Sequence, residues 1–156
     1  MKLSFTKMHG CGNNYIYFNC FDQTVPDPAS LSVRLSEPHF GIGGDGIILI
    51  SPSDKADAQM RIFNADGSEG KMCGNGIRCV GKYLYDNGMT DGRTTITVDT
   101  LSGVKTLELT VKDGKMTSAR VDMGAAILKP ADIPVDLEGD TVIGAPIVVD
   151  EKVYHM

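Results

Sequence analysis

The pattern that most restricts the fold of this chain is one well-formed helix followed by three strands in a row. After Gly76 the apolar residues Ile77, Val80 and Leu84 recur at helical spacing, with Gly81 beside Val80, and Asp86-Asn87-Gly88 supplies a C-terminal stop. Residues 94–100, 104–111 and 115–123 then read as strands, the last two joined by the hairpin pair Asp113-Gly114. Three consecutive strands after one helix predict an α+β domain, with a mainly antiparallel or mixed sheet wrapped around a central helix.

Upstream, residues 3–8 and 15–21 read as strands. In the second, Ile16, Phe18 and Cys20 alternate with Tyr15, Tyr17 and Asn19, as in a half-buried strand. Between them, His9-Gly10-Cys11-Gly12-Asn13-Asn14 is a turn rich in residues that tolerate positive φ. Asp27-Pro28 predicts an N-cap and first position for a short helix over residues 29–36, with Leu31 and Leu35 on its buried face and Pro38 beyond its end. Ile47-Ile48-Leu49-Ile50 and residues 58–63 are expected to pair as a hairpin that delivers Asn64 to the edge of a cysteine-containing loop. From Gly124 the character changes. Pro130, Pro134 and Pro146 punctuate weak periodicity, residues 132–140 read as loop, and residues 141–149 and 152–155 read as strands. The expected division is a domain over residues 1–123 and the start of a second, truncated domain over residues 124–156.

The loop before the helix carries the chemistry. In Asn64-Ala65-Asp66-Gly67-Ser68-Glu69-Gly70-Lys71-Met72-Cys73-Gly74-Asn75-Gly76-Ile77-Arg78-Cys79, a polar Gly-rich run places Cys73 and the amides of Gly74 and Asn75 at or just before the helix N-terminus. Unpaired N–H groups and the positive dipole end favour an anion there, such as a substrate carboxylate. They also favour thiolate over thiol, which makes Cys73 a candidate base or nucleophile. On local chemistry alone, the same cysteine is equally a small hydrophobe at a tight turn. Asn13 likewise either hydrogen-bonds a ligand or only closes its turn.

Other readings fall away. Gly41-Ile42-Gly43-Gly44-Asp45-Gly46 matches G-x-G-x-x-G in form, but it follows a helix and leads into a strand, the reverse of a dinucleotide fingerprint. Gly67-Ser68-Glu69-Gly70-Lys71 lacks the upstream glycine and the Ser/Thr of a phosphate loop. The four cysteines and three histidines have no zinc-ligand spacing, and a 156-residue chain is not a small disulfide scaffold. A net charge of −5 argues against non-specific nucleic-acid binding. No apolar run approaches the roughly 18 residues of a membrane span, and the first residues lack the apolar core of a secretory signal. The expectation is a cytoplasmic protein with a small-molecule partner and neither a nucleic-acid nor a membrane one.

The run Arg61-Ile62-Phe63-Asn64-Ala65-Asp66-Gly67-Ser68-Glu69, then Cys73-Gly74-Asn75-Gly76-Ile77-Arg78-Cys79, resembles the signature of diaminopimelate epimerase. Phe5-Thr6-Lys7-Met8-His9-Gly10-Cys11-Gly12-Asn13 and Gly41-Ile42-Gly43-Gly44-Asp45-Gly46 resemble two further motifs of that family, in the same order. The resemblance implies one of two similar α+β halves that face each other across a cleft, each with one cysteine at a helix N-terminus. It implies cofactor-independent inversion of one α-carbon of diaminopimelate by a thiolate/thiol pair, with no metal. Cys73 matches the first cysteine, Gly74 and Asn75 match residues that hold the α-carboxylate and α-amine region, and Asn13 and Asn64 match polar contacts to the rest of the substrate. Where some relatives carry a glutamine ligand, this chain has Gly46. The second cysteine belongs to a half that this sequence does not carry, so a second chain, as in a homodimer, or the missing C-terminal half of a longer gene product would have to supply it. Cys11, in the Asn13 turn, is a weaker candidate for that acid. Two alternatives stand beside this reading: a related isomerase or racemase of the same fold, and a catalytically silent amino-acid-binding fragment. The Asn-Ala-Asp-Gly-Ser-Glu run favours diaminopimelate over the first.

Overall fold

Four consecutive aliphatic residues, Ile47 to Ile50, set the architecture, because a strand apolar on both faces must be covered on both. The computed structural model, which describes residues 2–156, meets that demand with two helices. The chain divides into two compact units, Met1–Met123 and Gly124–Met156.

In the first unit the strands are β1 (Thr6–Gly10), β2 (Asn13–Asn19), β3 (Gly46–Ser51), β4 (Ala58–Asn64), β5 (Glu69–Gly70), β6 (Thr95–Thr100), β7 (Gly103–Lys112) and β8 (Lys115–Val121), with helices α1 (Pro28–Ser36) and α2 (Gly74–Asp86). They form one sheet in the order β1-β2-β3-β4-β6-β7-β8, with β5 paired to β4. The expected β3–β4 hairpin is present, antiparallel, and sets Gly46 opposite Asn64. Two pairs, β2 with β3 and β4 with β6, are parallel. Each joins strands separated in sequence by a helix, as a parallel crossover requires. The sheet is therefore mixed, within the class expected.

The alternation of side chains sorts the core into two layers. Ile48, Ile50, Met60 and Ile62 pack with Ile77, Val80 and Leu84 of α2. Ile47, Leu49 and Phe63 pack on the other face with Leu31 and Leu35 of α1. Helix α2 touches β1 and β2 near one end of the sheet and β7 and β8 at the other, so the sheet curls around it. One expectation needs correcting here. Strand β2 is not half-buried: Tyr15, Ile16, Tyr17 and Phe18 are all buried. Tyr15 and Tyr17 face the α2 layer, while Ile16 and Phe18 face the α1 layer.

The second unit holds a short 3-10 turn, Pro130–Asp132, and a two-stranded antiparallel hairpin of β9 (Pro146–Val149) and β10 (Lys152–His155). The extended pattern expected over residues 141–149 shortens to the last four. Asp150 and Glu151, which join the two strands, both have positive φ.

Candidate active site

Two turns meet at the start of α2. Strands β1 and β2 are joined by Cys11 and Gly12, both at positive φ (54° and 86°), the backbone of a tight two-residue hairpin. That turn starts β2 at Asn13. The end of β1 approaches α2 closely, since a Cβ on Gly10 would lie 2.7 Å from the carbonyl oxygen of Asn75. Only glycine at position 10 lets the hairpin and the helix start sit this near each other.

Cys73 is the N-cap of α2, in extended conformation, and its Sγ accepts the N–H of Gly76 at 3.2 Å. Nδ2 of Asn13 donates to the same sulfur at 3.4 Å, across 60 positions of sequence. The N–H of Ile77 goes to the Cys73 carbonyl. The N–H groups of Gly74 and Asn75 are thus the first-turn donors that have no acceptor within the helix. The Asn75 side-chain oxygen takes a hydrogen bond from Arg78.

Asn64 closes β4 and is held by its own loop. Its Nδ2 donates to Ser68 Oγ at 3.0 Å, and its backbone N–H goes to the Ser68 carbonyl. Asp66 Oδ1 accepts both the N–H and the hydroxyl of Ser68, which keeps the Asp66 carboxyl below its ordinary value. Glu69, paired in two-pronged fashion with Arg61 at 2.7 and 3.0 Å, fastens the far side of the loop, and that guanidinium holds its carboxyl below the usual range. Of the five residues expected at the site, Asn13, Cys73, Gly74 and Asn75 cluster at the mouth of α2, while Asn64 sits at the end of β4, held by the loop that follows it.

Sequence reasoning missed Tyr15. Burial, then the charge of Cys73, then a hydrogen bond with Cys73 push its hydroxyl up to about 12. The signal was present in the period of two, because Asn13 and Tyr15 leave the same face of β2. Cys11 is exposed, and its Sγ meets Arg78 Nη2 at 3.6 Å. It lines a cleft of about 390 Å³ between β1, α2 and β8, with His9, Arg78 and Lys82. Among the described residues, no group of three or more His, Cys, Asp or Glu is arranged to hold a metal ion. No helix among them is long and apolar enough to cross a membrane.

A sequence model of the family described as diaminopimelate epimerase matches residues 5–129. The chain belongs to the diaminopimelate epimerase family. It is 54% identical over 154 residues to the diaminopimelate epimerase of Acetivibrio thermocellus, covering 99% of this chain and 55% of that protein. It is 52% identical over 153 residues to the one from Methanococcus maripaludis, covering 98% of this chain and 55% of the relative. The chain thus spans about half the length of these members of the diaminopimelate epimerase family. Among solved structures, a methylitaconate-delta-isomerase has a TM-score of 0.62 at 19% identity, covering 74% of this chain and 36% of its own. A probable proline racemase from Agrobacterium radiobacter K84 has 0.61 at 20% identity, covering 77% and 41%. Those two likenesses establish a shared fold, with its mixed sheet curled around α2.

Proposed function

We propose that this chain supplies one half of a cofactor-independent diaminopimelate epimerase site, with Cys73 as one of its two bases. The observation that carries the reading is the sulfur at the N-cap of α2, held by the Gly76 N–H and the Asn13 amide beside the unpartnered first-turn donors of Gly74 and Asn75. A cap made of sulfur is poor for helix stability, since oxygen side chains do this better. It is well placed for proton transfer.

The α-proton of an amino acid is weakly acidic, so one base must take it from one face while an acid returns a proton to the other. In this reading the Cys73 thiolate removes the α-proton and becomes a thiol. The electron pair left at the α-carbon spreads into the carboxylate. The N–H groups of Gly74 and Asn75 and the positive end of α2 meet the charge developing there. A thiol on the opposite face then donates its proton and becomes the thiolate, so the carbon is inverted and the two sulfurs have exchanged protonation states. Asn13 and Asn64 orient the remainder of the substrate. The opposing thiol belongs to a second half, consistent with relatives about twice as long, and residues 124–156 are read as the start of that half. A second copy of the chain is the other possible donor. In this reading the protein serves lysine and peptidoglycan synthesis, in the cytoplasm.

The test is α-proton exchange of LL-diaminopimelate in D₂O, followed by mass spectrometry and chiral analysis, with Cys73→Ala beside it. The expected result is exchange that Cys73→Ala abolishes, with inversion where an opposing half is present and retention where it is not. Exchange that survives Cys73→Ala would remove Cys73 from the role of base. No exchange above the control would favour an amino-acid-binding fragment.

A further inference from the structure

The run Gly41-Ile42-Gly43-Gly44-Asp45-Gly46 has no task in the two-base scheme, yet its backbone is tied down residue by residue. The N–H groups of Ile42 and Gly43 go to the Leu35 carbonyl and that of Gly44 to the Ser36 carbonyl, satisfying acceptors that the end of α1 leaves open. Lys7 Nζ donates to the Gly43 carbonyl. The N–H of Asp45 then goes to the Asn14 carbonyl at 2.7 Å, and Asp45 Oδ2 accepts the Asn14 N–H at 2.7 Å and Asn14 Nδ2 at 3.3 Å. Asp45 and Asn14 thus clasp each other in both directions. A Cβ on Gly44 would lie 3.2 Å from both the carbonyl oxygen and Oδ1 of Asn14, so a side chain there would press on the clasp. The clasp sits where β2 has least support. Pairing of β2 with β3 starts only at Ile16, opposite Ile47, so on that side residues 13–15 lie beyond the end of the ladder. On the other side they pair only with β1, the outer strand of the sheet. Asp45 is itself exposed, so packing does not explain an aspartate there.

We propose that Asp45 is a positioning residue for the site: by clasping Asn14 it fixes the adjoining Asn13, whose amide reaches the Cys73 sulfur at 3.4 Å. The proposal rests on the reading of Cys73 as a base. A base that must meet an α-hydrogen in line needs its reacting atom held in one place. Asn13 follows directly on the two positive-φ residues of the hairpin turn. Its amide can hold the sulfur only as firmly as that hairpin is itself held. The loop from α1 to β3, anchored at the end of α1 and again where Gly46 lies opposite Asn64, is the fixed point that holds it.

The test is the pH dependence of Cys73 alkylation by iodoacetamide in the full chain. Cleavage after Lys71 and Arg78 releases residues 72–78, which contain Cys73 and no other cysteine, so mass spectrometry reads this thiol alone. A thiolate that loses a donor is harder to form. Asn13→Ala therefore sets the reference, a midpoint moved to higher pH by about one unit, the size of one hydrogen bond to a charged group. Asp45→Ala is expected to move the midpoint in the same direction, by up to that amount, and to add nothing in the Asn13→Ala background. Loss of the carboxylate charge alone would act with the opposite sign, since removing a nearby negative charge favours the thiolate. Asp45→Asn, which loses the charge and keeps an oxygen acceptor, is expected to show no rise. The proposal is overturned by a midpoint that stays or falls in Asp45→Ala, by a shift that adds in full to that of Asn13→Ala, or by a rise in Asp45→Asn as large as in Asp45→Ala. Amide hydrogen exchange of the natural chain covers the case in which Asp45→Ala fails to fold. The Asn14 N–H should be protected like an amide of the sheet, and exchange at the rate of an open turn refutes the clasp. Neither measurement uses turnover, so a chain that exchanges no α-proton would sink the two-base reading and leave these results standing.

Discussion

The two helices begin in the same way and with different materials. At α1, Asp27 Oδ1 accepts the N–H of Ser30 at 3.2 Å, and at α2, Cys73 Sγ accepts the N–H of Gly76 at 3.2 Å. Both acceptors serve the third residue of their helix. Asp27 is among the best N-caps, and cysteine is not. The rest of each helix explains why each can be so. Helix α1 leans on Leu31 and Leu35, both only partly buried, and starts from a left-handed Asp27 at φ 43°. Helix α2 sinks Ile77, Val80 and Leu84 to 1% exposure or less. A helix held that firmly by packing does not depend on its cap, which frees the capping position for chemistry.

The largest effect that can break this comparison is in the packing. Ile77→Ala should destabilise the fold by about 2–5 kcal/mol, the range for truncating a fully buried aliphatic. Leu31→Ala on α1 should cost clearly less, since its side chain keeps some exposure. Urea denaturation followed by circular dichroism measures both. Equal losses would mean that α2 is no better anchored than α1.

Asp27 comes next, and its effect is tied to pH. Hydrogen bonds from Ser30 lower its carboxyl from the ordinary 3.8, so the contribution is present above that value and is lost as pH falls through the lower, folded one. Asp27→Ala should therefore reduce the melting temperature at neutral pH. The gap from the natural chain should shrink below about pH 4 and close in stronger acid. A gap that stays constant down to acid pH would mean that the carboxylate is not what caps α1.

This contrast was only partly legible in the sequence. Asp27-Pro28 announces α1, and Ile77, Val80 and Leu84 announce α2, because caps and helical periodicity are local. The β3–β4 hairpin and the β6–β7–β8 meander were readable for the same reason. The parallel joins of β2 to β3 and β4 to β6 were not, since nothing local marks which distant strands become neighbours. The two-residue β5 has no periodicity to find. Strand β2 was misjudged because tyrosine reads as polar, whereas Tyr15 and Tyr17 spend their rings on the α2 layer. At the site, Cys73, Gly74 and Asn75 announced themselves by their place before a helix. The hydrogen bond from Asn13 to the sulfur, and Tyr15 beside it, depend on a strand brought in from 60 positions away.

The smallest expected effect is the most discriminating. Cys73→Ser replaces sulfur by a hydroxyl that caps better, in a partly buried position that keeps the Asn13 and Gly76 donors within reach. Stability should be unchanged or rise by less than about 1 kcal/mol. Alkylation of residues 72–78 should vanish, and so should any α-proton exchange, because a serine hydroxyl stays protonated where a thiol can ionise. Gain on one axis and loss on the other would mark the cysteine as a residue kept against the preference of the helix it starts. A destabilisation beyond about 1 kcal/mol would say the opposite. It would show that the sulfur is part of the α2 core, as its contacts with that layer allow, and that its place at the cap follows from packing instead of chemistry.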